Sequence, residues 1–240
     1  MNLVIDVGNT RIKSAIFDKG EIIHSETFSH KNIVENVVES INKFECVNAI
    51  ISSVSTLNKS QISQIKEKIN LIILNASTKI PFKNKYDTPK TLGVDRIALA
   101  SAAVFQYPNK NVLVIDAGTC ITYDFINKEG NYFGGAISPG ITMRYKSLNH
   151  FTENLPLLNP NFENELIGTS TISSIHIGVI KGVISEIDSF IEQYRKKNRD
   201  LTIVLTGGDV NFLNNRLKNG IFANPNFLLE GLNIILTYNL

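Results

Sequence analysis

Two carboxylates that each end an apolar run are the residues best placed to do chemistry. Asp6 closes the run LVID, and Asp116 closes the run VLVID 110 residues later. A glycine follows each of them two positions on, Gly8 and Gly118, and the chain then enters a second alternating run. Two strands with the same ending predict that the turn after each strand is a repeat of the other and serves the same function.

The first of these turns has the composition of a phosphate loop. Gly8 would let backbone N–H groups approach an anion, and Thr10 offers a hydroxyl donor. Arg11 and Lys13 add positive charge. An ordinary hairpin turn is the alternative, because Asx-Gly and Gly-Asn pairs are common in such turns.

The second copy of the turn favours the phosphate interpretation. Thr119 follows Gly118, so that two hairpins, one from each half, could hold one polyphosphate. Asp6 would repel phosphate, and a cation is therefore needed between them, for which Mg²⁺ is the usual choice. The sequence thus predicts a polyphosphate site with a divalent cation.

Two further stretches carry candidate residues. VLTGGD ends a strand with Gly207 and Gly208, whose bare backbone would let a flat base lie against it. A tight strand-to-helix turn with Asp209 as the helix N-cap is the alternative. LGVDRIALA places Asp95 and Arg96 in a first helical turn, where Asp is also a preferred cap.

The elements that must position these residues fall into two similar halves. Each half begins with three strands in a meander and then alternates helix and strand. The segment PNKN at 108–111 is the predicted boundary, which gives domains 1–110 and 111–240. Residues 76–92 are predicted to be irregular. Strands are predicted at 3–7, 11–18, 21–28, 48–54, 71–75, 112–116, 121–126, 132–137 and 201–209, and helices at 31–44, 58–69, 94–107, 138–151, 170–196 and 228–238.

Composition excludes several classes of protein. The net charge is +2 with no long basic run, which argues against nucleic acid as the main partner. The longest apolar run, IALASAAVF, is about half of a membrane span. Two cysteines make no disulfide framework, and a strand-like segment from residue 3 leaves no room for a signal peptide. We expect a cytoplasmic protein without a membrane partner.

The combination of motifs resembles the type III pantothenate kinases, within the actin-like ATPase superfamily that also holds acetate and sugar kinases. The matching segments run in the family's order over nearly the whole chain. They are DVGNT with Lys13, YDTPKTLGVDR at 86–96, DAGTCITYD at 116–124, GGAISPG at 134–140, IGTSTISSIHIGVIKG at 167–182 and TGGD at 206–209. The resemblance implies an α/β fold, a duplicated actin-like (ribonuclease H-like) ATPase fold with two mixed-sheet halves and flanking helices.

The resemblance also implies roles for individual residues. Asp95 is implied as the general base, and Asp116 as the ligand of a monovalent cation, K⁺ or NH₄⁺. The implied nucleotide contacts are Asp6, Val7, Gly8, Asn9, Thr10, Arg11, Ile12, Lys13, Thr119, Gly207 and Gly208. The implied pantothenate contacts are Tyr86, Gly93, Val94, Asp95, Arg96 and Thr171. The family often has Asn-Thr where this chain has Ser170-Thr171.

The implied reaction is phosphorylation of pantothenate by ATP to 4′-phosphopantothenate, the first step of coenzyme A synthesis. Arg96 could hold the pantothenate carboxylate by a bidentate pair, and Asp95 could take the hydroxyl proton. The resemblance implies a homodimer, for which the alanine-rich helix after Asp95 and the long helix at 170–196 are the candidate contacts. Another small-molecule kinase of this fold, or a non-enzymatic regulator built on it, remains an alternative.

Overall fold

The computed structural model describes residues 1–8, 11–52 and 57–240. The chain divides into two compact units. The first comprises Met1–Pro108, Gly130–Tyr132 and Asn226–Leu240, and the second comprises Asn109–Glu129 and Phe133–Pro225. The last fifteen residues, 226–240, thus belong with the first unit, although they follow the whole of the second along the chain.

The first unit is built on a five-stranded mixed sheet in the order β3-β2-β1-β4-β5. β1 is antiparallel to β2 and parallel to β4, so the sheet combines a hairpin meander with crossover connections. The predicted elements are confirmed here with small changes of boundary. They are β1 (Asn2–Val7), β2 (Ile12–Asp18), β3 (Glu21–Phe28), α1 (Ile33–Phe44), β4 (Asn48–Ile51), α2 (Lys59–Lys66), β5 (Asn70–Ile73), α3 (Val94–Gln106) and α7 (Phe227–Tyr238). The structure adds the short strand β6 (Lys83–Asn84), which lies in the stretch predicted to be irregular and pairs with Asn131 and Tyr132 outside this five-stranded sheet.

The second unit repeats this plan. Its strands follow the order β11-β10-β7-β8-β9, with β7 antiparallel to β8 and parallel to β10. β7 therefore occupies the position of β1, as the alignment of Asp116 with Asp6 predicted. The elements are β7 (Asn111–Ala117), β8 (Cys120–Ile126), β9 (Asn131–Pro139), α4 (Ile141–His150), α5 (Thr171–Lys197), β10 (Leu201–Thr206), α6 (Val210–Leu213) and β11 (Phe222–Ala223).

Each unit has its own hydrophobic core. In the first, the buried faces of β1, β2 and β4 pack with α1, around residues such as Leu3, Ile12 and Val37. In the second, helix α5 places an apolar residue on one stripe at every fourth position. These residues, Ile175, Val179, Val183, Ile187 and Ile191, lie in the core with strands β7, β8 and β10.

The alanine-rich helix α3 packs inside the first unit. Ala98, Ala100, Ala102 and Ala103 are completely buried. A Cβ atom on Gly231 of α7 would come within 2.0 Å of the Ala98 carbonyl oxygen, so the two helices touch backbone to backbone. The small residues of α3 therefore pack in the core of this unit, one of the two alternatives that the sequence left open, and a subunit contact through the rest of the helix stays a prediction.

Candidate functional site

The first candidate phosphate turn leaves the end of β1 and returns as β2. The backbones of Asp6 and Lys13 are directly opposite each other in this antiparallel pair. A Cβ atom on Gly8 would lie 3.0 Å from the Arg11 carbonyl oxygen, a tight contact that a larger residue could make only if the turn shifted. Arg11 is exposed, whereas Val7 and Ile12 are buried, so these two can offer a ligand only backbone groups. Asn9 and Thr10, both predicted contacts, lie outside the described residues.

Ser52 joins this turn from the next strand and was missed by sequence reasoning. Its hydroxyl donates to Asp6 Oδ1 at 2.8 Å and accepts from the Val7 N–H group at 3.0 Å. β1 and β4 are parallel neighbours, so their carboxyl ends lie at one edge of the sheet. A serine directly after the apolar run NAII was the available signal.

The Asp6 carboxylate is held at an energetic cost. Burial raises the pKa of Asp6 above its usual value, although the hydrogen bond from Ser52 and the charge of Lys13 oppose the shift. The charge of Asp95 raises the pKa of Asp6 further. The predicted base and the phosphate turn of the first unit therefore influence each other electrostatically.

Helix α3 presents Asp95 from its first turn. Gly93 is the N-cap and has no side chain to donate or accept, while Asp95 Oδ1 accepts from the Arg96 N–H group at 2.8 Å. Asp95 thus satisfies one free N–H group of the helix, from a position inside the first turn. A Cβ atom on Gly93 would lie 2.3 Å from Asp95 Oδ1, so the glycine makes room for this carboxylate. Asp95 is exposed, and Val94 is half-buried.

Arg96 lies buried beside aromatic rings. Its guanidinium carbon is 5.5 Å from the centre of the Tyr86 ring and 5.9 Å from that of Tyr132. These are cation–π distances. The structure brings the predicted substrate contacts Tyr86 and Arg96 together, and it adds Tyr132, which the sequence did not indicate.

The second candidate turn follows β7 and is supported from β10. Gly207 has a φ angle of +98°, and a Cβ atom there would lie 2.3 Å from the Ala117 carbonyl oxygen and 2.4 Å from Asp116 Oδ1. The Asp209 N–H group donates to the same Ala117 carbonyl at 2.9 Å. Only glycine fits this close approach of two strand ends. Gly207 therefore lies against Asp116, whereas Gly208 is exposed with open space around it.

Asp209 occupies the N-cap position of α6, as the structural alternative predicted, but its side chain makes no capping hydrogen bond. Burial raises the pKa of the Asp209 carboxyl group. The helix it begins has four residues. The turn after Gly208 is therefore shaped by the backbone contact at Gly207 rather than by a side-chain cap.

A third segment braces the second turn from β9. The Gly140 N–H group donates to the Thr119 carbonyl at 3.1 Å, and a Cβ atom on Gly140 would lie 2.1 Å from the Gly118 carbonyl oxygen. Thr119 itself is exposed. The hydroxyl of Thr119 is thus carried on a backbone that two neighbouring segments hold in place.

Arg144 ties this brace to the long helix. Its Nε donates to the Pro139 carbonyl at 2.9 Å, and its Nη2 donates to Ser138 Oγ at 2.9 Å and to Glu186 Oε2 at 2.5 Å. Tyr123 donates to the other oxygen of Glu186 at 2.9 Å. Burial alone would raise the pKa of Glu186, but the hydrogen bonds from Arg144, Ser138 and Tyr123 lower it overall.

Thr171 is the first residue of α5, next to a cavity of about 970 Å³ in the second unit. Ser170 caps the helix in a capping box with Ser173. Ser170 thus fills the cap position where the family often has Asn, and Thr171 is exposed beside it. The cavity has hydroxyl groups at the helix start and apolar walls further along. Its lining residues are Arg144, Ser147, Leu148, Leu155, Gly168, Thr169, Ser170, Thr171, Ser174, Ile175, Gly178 and Val179.

Among residues 1–8, 11–52 and 57–240, no three His, Cys, Asp or Glu side chains group as a metal site. Asp6 in the first unit and Asp116 in the second are therefore single carboxylates, and each would need oxygen atoms from other groups to hold a cation. Within the described part of the chain, no helix is both long and apolar enough to cross a membrane.

A comparison with known families decides what this arrangement belongs to. The family model described as type III pantothenate kinase matches residues 2–193. The chain belongs to the type III pantothenate kinase family. The family member from Christiangramia forsetii is 51% identical over 240 residues, which covers 100% of this chain and 99% of the relative.

Solved structures confirm the fold expected of this family. A Campylobacter jejuni protein, provisionally described as a conserved Baf family transcriptional activator, matches with a TM-score of 0.64 at 24% identity, covering 99% of this chain and 98% of that one. A ROK family glucokinase from Streptomyces griseus, solved with glucose and AMPPNP, matches with a TM-score of 0.52 at 8% identity, covering 99% and 98%. The predicted duplicated actin-like fold of two mixed sheets with flanking helices is thus confirmed.

Proposed function

We propose that this chain transfers the γ-phosphoryl group of ATP to the primary hydroxyl of pantothenate, giving ADP and 4′-phosphopantothenate. Membership of the type III pantothenate kinase family supports this reaction. One observation in the structure carries it further. Asp95 accepts from the Arg96 N–H group in the first turn of α3, and the Arg96 guanidinium group lies beside the ring of the predicted substrate contact Tyr86.

The proposed mechanism assigns one task to each of these residues. Arg96 holds the pantothenate carboxylate, and Asp95 accepts the proton of the attacking hydroxyl. A bond forms between the hydroxyl oxygen and the γ-phosphorus, while the bond to the β–γ bridging oxygen breaks and ADP leaves. Gly93 keeps the space into which the Asp95 carboxylate folds.

In the first unit, Asp6, Val7 and Gly8 with Lys13 are proposed as phosphate contacts. In the second unit, Thr119 is proposed as a phosphate contact, and Gly207 and Gly208 as contacts of the base. When bound, Mg²⁺ would neutralise phosphate charge. Asp6 would either bind the ion directly or accept hydrogen bonds from the water molecules bound to it. Asp116, held against Gly207, is proposed to help bind K⁺ or NH₄⁺.

A homodimer is proposed through the start of α5. Leu166, Ile167 and Ile172 lie around the N-terminus of this helix and are 78%, 78% and 52% exposed. Large apolar side chains grouped in this way favour a protein contact. Sedimentation of a ~27 kDa species at micromolar concentration would contradict a stable dimer. Both cysteines are free, and a cytoplasmic location is proposed, where ATP is available and thiols stay reduced.

The experiment that tests the function is a coupled assay of ADP release against a panel of small alcohols. The panel contains pantothenate, glucose and glycerol, each with Mg²⁺ and K⁺. We expect rapid ADP release with pantothenate and with no other compound of the panel. Faster ADP release with another compound would indicate a different small-molecule kinase of this fold. If no compound caused ADP release, a non-enzymatic regulator built on this fold would be favoured.

A further inference from the structure

Arg96 is a buried cation whose surroundings need an explanation. Its side chain is only 5% exposed, and burial of a charge is costly unless neighbouring groups compensate. Part of the compensation comes from two aromatic faces, those of Tyr86 and Tyr132, both within 6 Å of the guanidinium carbon. Cation–π attraction is strongest at desolvated positions such as this one.

Backbone pairing fixes the two rings beside each other. β6 and the first two residues of β9 form a short parallel ladder in which Asn84 is opposite Tyr132. The Lys85 N–H group donates to the Tyr132 carbonyl at 2.8 Å, and the Tyr86 N–H group donates to Asn84 Oδ1 at 3.0 Å. The distance between the two tyrosines therefore depends on main-chain geometry.

Packing then limits the movement of the Tyr132 ring. Tyr132 is completely buried, and Phe82 packs against it edge-on with ring centres 5.7 Å apart. The ring of Tyr86 lies 6.2 Å from that of Tyr132. Because Tyr132 is buried and packed against Phe82, its ring forms one wall beside the guanidinium group.

We propose that Tyr132 is a positioning residue that aims Arg96 and thereby sets the preference for a substrate with a carboxylate. The proposal rests on the proposed function, in which Arg96 holds the pantothenate carboxylate. Aromatic faces attract a guanidinium group without occupying its planar fork of N–H donors, which a bidentate pair with a carboxylate requires. Tyr132 acts through Arg96 and has no part in phosphoryl transfer.

The test compares Tyr132→Leu with Tyr132→Phe in the full-length chain. Each variant is assayed with pantothenate and with its neutral amide analogue, and the readout is the ratio of the two kcat/KM values. We expect Tyr132→Leu to lower this preference for the carboxylate at least about fivefold, with the KM for ATP unchanged. Tyr132→Phe keeps the aromatic face and should keep the preference within about twofold.

Tyr107→Leu is the matched control for the loss of a packed ring. Tyr107 also belongs to the first unit, where its ring lies 6.4 Å from that of Phe227. Tyr107→Leu should lower the stability of the protein without changing the ratio of the kcat/KM values for pantothenate and its amide. If Tyr132→Leu slows both substrates equally, Tyr132 is a packing residue only and the inference is wrong.

A second series removes the dependence on a variant that folds poorly. Phenylalanines with one, two and three ring fluorines at position 132 keep the shape while weakening the attraction of the ring for a cation. The preference should fall stepwise along the series, and a constant preference would overturn the inference. A parent chain that phosphorylates neither substrate would instead contradict the proposed function, and one that uses both equally would contradict the role of Arg96.

Discussion

The hydroxyl group of Ser52 bridges the Asp6 carboxylate, at 2.8 Å, and the Val7 N–H group, at 3.0 Å. Ser52 is 2% exposed, so no water can easily take its place. The bridge spans 46 positions of sequence and joins the carboxyl ends of two parallel strands. It fixes which way Asp6 points before any ligand arrives.

Ser52→Ala should loosen Asp6 and leave the buried Val7 N–H group without its acceptor. We expect a loss of about 1–3 kcal/mol in the free energy of unfolding. We also expect the KM for ATP to rise, measured in the coupled assay. Ser40→Ala is the control, since Ser40 is a buried serine of the same unit that donates to Glu26 at 2.9 Å. It should lower stability while the KM for ATP stays at the parent value.

Asp6→Asn should stabilise the protein at pH 8 and inactivate it. The pKa of Asp6 is raised in the folded state, so stability falls as pH rises from the usual value of 3.8 through the raised pKa. A neutral amide avoids this cost. The gain in Tm should therefore be full at pH 8 and should shrink as the parent carboxyl group protonates in acid. Asp18→Asn, an exposed change on the same hairpin, should leave Tm unaltered at both pH values.

Asp95→Asn separates a base from a helix-stabilising residue. Asn can still accept from the Arg96 N–H group, so the loss of charge near the helix start should cost roughly 0.3–1 kcal/mol at most. The amide cannot take the substrate proton, and kcat should fall at least ~10²-fold with Tm and ATP binding near the parent values. Asp87→Asn, an exposed carboxylate nearby in sequence, is the control. Turnover within threefold of the parent would show that Asp95 is not the base.

Glu186→Gln should weaken the link between α4 and α5 in a pH-dependent way. The pKa of Glu186 is lowered in the folded protein, so its contribution is present above the usual value of 4.5 and is lost as pH falls through the lowered pKa. At pH 7 we expect the variant to lose about 1–3 kcal/mol in the free energy of unfolding, measured with urea. The difference between variant and parent should become smaller in acid. Glu192→Gln, exposed on the same helix, should have no effect.

Potassium should activate the enzyme if Asp116 helps to bind a monovalent cation. We expect much faster turnover in KCl than in NaCl at equal ionic strength, because the larger cation suits a site made of one carboxylate and carbonyl oxygens. Asp116→Asn should remove most of this difference, while the exposed Asp200→Asn should retain it. Equal rates of the parent in both salts would contradict the proposal.

Most of the strands and helices could be predicted because they have a clear hydrophobic pattern. The short apolar run in β1 and the spacing of apolar residues at every fourth position in α5 both give strong local signals. The duplication was visible for the same reason, since β1 and β7 end in the same short motif. Asp6, Asp116 and Asp95 were candidates because a carboxylate is conspicuous at the end of an apolar strand or beside an arginine.

Features that depend on tertiary contacts had no such signal. β6 has two residues, too few for any period, and it lies in a stretch predicted to be irregular. Ser52 and Tyr132 matter because of what lies opposite them in space. The small-residue face of α3 indicated close packing correctly, but its partner α7 is more than a hundred residues further along the chain.

The placement of α7 in the first unit has a consequence for synthesis on the ribosome. The strands of that unit emerge first, yet the helix that covers the alanine face of α3 emerges last, after all of residues 133–225. The second unit has its full set of residues earlier, so it can complete its fold while the first still exposes apolar surface. During synthesis, the first unit is therefore the first to emerge and the last to complete its fold. At this stage its exposed apolar surface could be bound by a chaperone.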